Sequence, residues 1–142
     1  MTGTVHCVDD YIRVVQLEAE FWATLERNSY GELLRLMVPE CRWFRGGRWR
    51  DGHEQIAASL AERPVGRVVR HSLSNLRVER QKERLICSYL IVAFSADSEA
   101  VTPPYPFSGP LLVADCRDLL LGRADGLFFS ELYSEIRFLQ QP

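Results

Sequence analysis

The sequence predicts a single α+β domain in which helices come first and long antiparallel strands follow. Three observations carry this. Polar residues recur at helical spacing from about Val8 to Arg27. Four long stretches rich in β-branched, aromatic and leucine residues fill most of the chain after Arg67. The 142 residues, 46% hydrophobic and 25% charged, fit one globular domain spanning 1–142 with enough apolar mass for a core. A block of helices followed by a block of strands is the α+β pattern.

In the first helix Arg13, Gln16, Glu20, Thr24 and Arg27 form a solvent stripe, with Tyr11, Val14, Val15, Trp22 and Leu25 opposite. Glu18 falls near the middle of the apolar face, and Glu26 lies toward its edge beside Trp22. A carboxylate on a buried face costs free energy unless it is paired, so one of the two is a candidate for function. Asn28 and Ser29 break the helix. Ser29-Tyr30-Gly31-Glu32 has the S-x-x-E form of a capping box, predicting a second helix with Tyr30, Leu33, Leu34 and Met37 inward and Pro39 at its end.

The run Cys41–Arg50 reads as a hairpin turning at Gly46-Gly47. A third helix is predicted from Asp51, with Ile56 and Leu60 inward and Pro64 beyond its end. Strands are predicted over Val68–Arg80, Arg84–Ser95, Leu111–Leu121 and Leu127–Leu139, with turns at Lys82 and Asp125-Gly126. Asp97–Pro110, with Pro103, Pro104, Pro106 and Pro110, reads as a loop that could flap over a cavity mouth. Strands this long in so small a domain must twist and bend, and a bent sheet holding helices in its concavity encloses a pocket.

Composition excludes several classes. A formal charge of −2 argues against a nucleic-acid binder. Arg42, Arg45, Arg48 and Arg50, interleaved with Trp43 and Trp49, read better as arginines lying over indoles on a hairpin. No apolar run approaches the ~18 residues of a membrane span, and Met1–Asp10 lacks the layout of a signal peptide, so a cytoplasmic location is expected. Cys7, Cys41, Cys87 and Cys116 are scattered, without C-x-x-C spacing, and read as reduced thiols. His53-Glu54 begins an H-E-x-x-H pattern that Ala57 ends, so no zinc site or other metal site is expected.

The run Thr24–Pro39 resembles the helix-turn-helix segment of scytalone dehydratase, SnoaL-like polyketide cyclases and aromatic-ring dioxygenase small subunits, all of the nuclear transport factor 2-like superfamily. Glu26 and Tyr30 hold the places of that segment's acidic and aromatic residues. Arg70-His71-Ser72-Leu73-Ser74-Asn75-Leu76-Arg77-Val78 is similar to the R-H-x-x-x-N-x-x-V strand of these proteins, and Ala124–Phe128 resembles their closing hairpin, with Phe128 in place of tryptophan. The resemblance implies a cone: three N-terminal helices packed in a curved antiparallel sheet. It implies His71 as a catalytic base oriented by Glu26, and pocket positions at Asp115 and Arg117. Leu25 and Arg45 stand where scytalone dehydratase has tyrosines, so that enzyme's own substrate is not implied.

The residues then support two readings. One is a small cofactor-free lyase, isomerase or cyclase acting on a hydrophobic ring substrate. His71 and Glu26 would be catalytic, and Glu18, Tyr11, Trp22, Asp115 and Arg117 are the pocket-lining candidates. The other is a non-catalytic ligand-binding domain or small subunit. A small hydrophobic molecule is the expected partner of either, and apolar residues on the outer sheet face predict a homodimer. Asn75, on the same strand as His71, is expected to hold a bend in the backbone.

Overall fold

The structure is a computed structural model describing residues 7–97, 102–106 and 109–141. Its elements, in order, are α1 (Val8–Glu26), α2 (Tyr30–Arg35), β1 (Met37–Arg45), β2 (Arg48–Asp51), α3 (Gly52–Ala61), β3 (Arg67–Gln81), β4 (Arg84–Asp97), β5 (Leu112–Arg123) and β6 (Gly126–Leu139). One six-stranded sheet runs β2-β1-β6-β5-β4-β3, curved around the helices. No helix among the described residues is long and apolar enough to cross a membrane.

The sheet differs from the expectation in being mixed: β1 pairs parallel to β6, while every other neighbouring pair is antiparallel. The β1–β2 hairpin lies between α2 and α3, where the Cys41–Arg50 reading puts it. The parallel pair follows from an early end to α2. Leu36 caps it, and Met37 and Pro39, read as helix and stop signal, belong to β1. Pairing of Met37 with Phe129 then places β1 beside β6. The Ser29 capping box does not form, since Ser29 makes no side-chain cap bond. At α3 the cap is inverted: the Gln55 side-chain oxygen accepts the N–H of Asp51 at 2.9 Å.

The turns follow the glycine and asparagine chemistry of the sequence. Gly46 and Gly47 carry φ of 63° and 77° at the β1–β2 turn, as a two-residue hairpin requires. Asn75 (φ 57°) lies where the register of β3 on β4 shifts between Ser74 and Arg77, a bulge at the expected bend. Two further bulges between β5 and β6 help curl the sheet.

The core lies between α1 and the concave sheet face. Phe21 is fully buried and meets Trp22, Trp43 and Phe129 with ring centroids 5.1–5.3 Å apart. Thr24, assigned to the solvent stripe, is buried instead. Its hydroxyl donates to the Glu20 carbonyl at 2.6 Å, which lets a small polar residue sit on a packed face. On β5 the inward residues are Ala114, Cys116, Asp118 and Leu120.

Candidate active site

The last turn of α1 crosses the first half of β3, and there Glu26 meets His71. One Glu26 oxygen, Oε1, accepts the backbone N–H of His71 at 2.7 Å and lies 3.2 Å from its Nδ1. The backbone bond fixes the carboxylate against the strand, and the side-chain contact fixes the imidazole. With the Nδ1 proton donated to the carboxylate, Nε2 is left as the acceptor. The His71 and Glu26 side chains are largely buried, 9% and 16% exposed. Burial pushes the His71 pKa below its ordinary value; the Glu26 charge opposes this, and Arg63 and Arg45 reinforce it. The histidine is therefore neutral at pH 7, the form in which it can take a proton.

His71 lines a cleft of about 320 Å³. Trp22 lies against it with ring centroids 4.5 Å apart and the ring planes tilted by 42°. Leu25, Trp43, Ile91 and Ala114 supply apolar wall, and Arg45 and Arg63 supply charge. Leu25 and Arg45 both line this cleft. On the hairpin, Arg42 lies 4.0 Å over Trp49 and Arg45 lies 5.1 Å from the Trp43 ring, as expected for arginines over indoles.

Behind Trp22 lies a second acid site. Trp22 donates its indole N–H to the Tyr89 hydroxyl at 3.1 Å, and Tyr89 donates to Asp118 Oδ2 at 2.7 Å. Glu18, fully buried, faces Asp118, Tyr89 and Cys87. Among the described residues neither Glu18 oxygen has a hydrogen-bond partner. Two buried carboxylates cannot face each other bare, and one proton shared between them resolves the conflict. Burial, then the Asp118 charge, pushes Glu18 well above the carboxylate range. Burial also lifts Asp118, to about 6, against the opposing bonds from Glu18, Tyr89 and the Tyr133 backbone. Glu18 is thus the acid that holds the proton, and Asp118, which accepts from Tyr89, is joined through Tyr89 and Trp22 to the wall of the cleft.

The remaining expected pocket residues lie elsewhere. Asp115 and Arg117 are exposed on the outer face of β5, and Asp115 pairs with Arg137 at 2.7 Å. The period of two in a strand gives their shared side but not its direction, and the inward acid is Asp118. Tyr11 is 44% exposed and lines a separate surface groove with Val8, Leu76 and Val78, because the first turns of α1 overhang the far half of β3. Glu18 is buried but is not a cleft-lining residue. Of the loop 97–110, positions 98–101 and 107–108 lie outside the described residues; Tyr105 lines a shallow depression with Val68 and Arg70 on the face opposite His71. Among the described residues no group of three or more histidine, cysteine or acidic side chains is placed to hold a metal ion. Burial raises the thiols of Cys41, Cys87 and Cys116, Cys41 to about 12, so they stay protonated.

No protein-family model matches the sequence, and no curated protein matches it. Solved structures do. Aln2 from a Streptomyces species aligns with a TM-score of 0.79 at 19% identity, covering 92% of this chain and 93% of its own. A protein from Catenulispora acidiphila in complex with S-DNPA aligns at 0.76 and 20% identity, covering 89% of this chain and 92% of its own. A putative scytalone dehydratase from Novosphingobium aromaticivorans aligns at 0.76 and 14% identity, covering 94% of this chain and 87% of its own. At these identities the likeness establishes a shared fold. The chain has the nuclear transport factor 2-like, cystatin-like cone that its motifs implied.

Proposed function

We propose that this protein is a small lyase, isomerase or cyclase that removes a proton α to a carbonyl on a hydrophobic ring substrate. The observation that carries the reading is the Glu26–His71 pair set in the wall of an open cleft. The putative scytalone dehydratase and the S-DNPA complex among proteins of the same fold support a ring compound as ligand. In the reaction, His71 Nε2 takes the α-proton and the C–H electron pair moves onto the carbonyl oxygen as an enolate. Glu26 holds the imidazole and stabilises the imidazolium that forms. The enolate falls to Arg45 or Arg63, the cations on the cleft wall, and not to Arg117, which lies outside. His71 then returns the proton, to another carbon in an isomerisation or to a departing hydroxyl in an elimination.

The test needs no knowledge of the natural substrate. The protein should speed exchange of the α-protons of 2-tetralone in D2O above the buffer rate, followed by NMR, and His71→Gln should abolish the gain while the fold persists. Exchange at the buffer rate with the wild-type protein would leave the ligand-binding subunit as the better reading. A homodimer through the outer sheet face belongs to the same proposal. Leu90, Val92, Leu119 and Leu121 on that face, half-buried in the single chain, support it. Sedimentation showing only monomer at roughly tens of micromolar would contradict it.

A further inference from the structure

The cleft does not end at His71. A second cavity of about 290 Å³ opens beside it, and the two share Arg45, Gly46, Arg63, Val69 and Leu111 in their walls. The second cavity adds Arg50 and Arg67, so four guanidinium groups surround it, and among the described residues lining it Glu62 is the only acid. Among the described residues none of these four arginines is in a salt bridge, whereas Arg42, Arg80, Arg123 and Arg137 each hold a carboxylate. Arg45 is held by Ser59, whose hydroxyl accepts from Nε at 3.1 Å. Arg63 spends only Nη1, on neutral oxygens of Leu25, Asn28 and Tyr30. The Nε of Arg50 is buried with no hydrogen-bond acceptor.

Clustered cations with an orphaned buried donor are costly in an empty protein, and an anion seated among them offsets the cost. Burial, and the nearby charges of Arg63 and Arg50, already push the Arg45 pKa down. An enolate formed beside His71 needs one of these cations, so the others are in excess of the chemistry. The cavity also opens into an apolar cleft, which calls for an anion carried on a ring and not for a free one.

We propose that this side cavity binds the carboxylate of a ring-bearing acid, with Arg50 and Arg67 as its specificity-determining residues and Arg45 and Arg63 at the junction with the reaction cleft. Planar guanidinium forks match a carboxylate in a two-bond arrangement, which a neutral amide or ester cannot copy. The inference rests on the lyase reading for the identity of the neighbouring cleft, but its test reads binding alone.

The probes are 2-naphthoate and its neutral analogue 2-naphthamide, titrated against the fluorescence of the intact protein, since Trp22 and Trp43 line the cleft. Naphthoate should bind about tenfold or more tightly than the amide, with a preference that shrinks as salt rises. Arg50→Gln combined with Arg67→Gln should bring the acid-to-amide affinity ratio to about one, and Arg67→Lys, which keeps the charge, should retain part of the preference. Arg67 is exposed, so its single variant keeps the test open if changing Arg50 disturbs the fold. His71→Gln should keep the preference, which separates this site from catalysis. Equal binding of acid and amide would overturn the proposal. So would inorganic phosphate displacing naphthoate at equal concentration, the mark of an unselective anion site.

Discussion

Glu18 and Glu26 sit on one helix, about two turns apart, and both face the sheet. Their surroundings give them opposite duties. Glu26 meets two N–H groups of one strand residue, so it serves as an acceptor that orients a histidine. Among the described residues Glu18 has no hydrogen-bond partner and it faces a second carboxyl, so burial leaves it holding a proton. Residue type and helical face are the same in both cases. What differs is the sheet residue opposite: a histidine at the cleft, an aspartate in the deep interior. A buried acid therefore takes its role from its partner's protons.

The largest test of this contrast is at the cleft. His71→Gln should slow the 2-tetralone exchange by about a hundredfold or more. Glu26→Gln should slow it by about tenfold, because an amide oxygen can still accept one N–H but cannot stabilise the imidazolium. Unchanged rates in both would make the pair structural, erasing the functional half of the comparison.

Next come the interior acids, read by urea denaturation at pH 7. Asp118→Ala should lower stability by about 1–3 kcal/mol from the stranded Tyr89 hydroxyl alone. Glu18→Gln keeps a neutral donor in place and should change stability by less than about 1 kcal/mol. A loss above about 2 kcal/mol from Glu18→Gln would show an ionised Glu18 that uses its charge.

The two regions should also titrate in opposite directions. Glu18 and Asp118 are raised by folding, so the native chain holds protons that the unfolded chain releases. The Asp118 contribution is present below the usual carboxylate range and declines as pH rises through about 6, and the Glu18 contribution declines in the same direction. His71 is lowered, so the unfolded chain binds its proton first and stability falls as pH drops below 6.5. Stability against pH in Glu18→Gln should lose the Glu18 part of the first trend, since burial still raises Asp118, and in His71→Gln it should lose the second; the limit for one proton is about 1.4 kcal/mol per pH unit. The smallest effect is at the surface: Asp115→Asn should leave both stability and exchange unchanged, since the Arg137 pair lies in solvent.

The contrast also marks what the sequence could tell. Glu26 and His71 were legible because each sits in a local motif and both motifs belong to long, strongly patterned elements. Glu18 was legible as a misplaced charge, but its partner was not. Whether Asp115 or Asp118 faces inward depends on which side of β5 the helices occupy, and that is set by β4 and β6, far away in the chain. The parallel β1–β6 pair was hidden for the same reason. Pro39 is a stop signal in a local reading, yet it sits in a strand whose pairing begins at Met37 and Phe129. The arginine cavity drew its members from β1, β2, α3's trailing loop and β3, and no spacing rule connects them. Tyr11 was misplaced because helical period gives a direction around α1 but not how far the sheet extends beneath its first turn.

Asn75 has a consequence that reaches His71. A strand's side chains alternate like a wave of period two, and one added residue shifts that wave by half a period. Before Asn75 the inward positions are odd, Val69, His71 and Leu73; after it they are even, Leu76 and Val78. The asparagine thus works as a phase shifter joining two half-strands that would otherwise be out of step. Deleting it would force a choice: keep Val78 in the core and swing His71 out to solvent, or keep His71 and expose Val78. The catalytic candidate's inward aim is therefore set jointly by Glu26 and by the insertion four residues downstream, and a single-residue deletion at Asn75 would invert one half of β3 without altering any residue of the cleft.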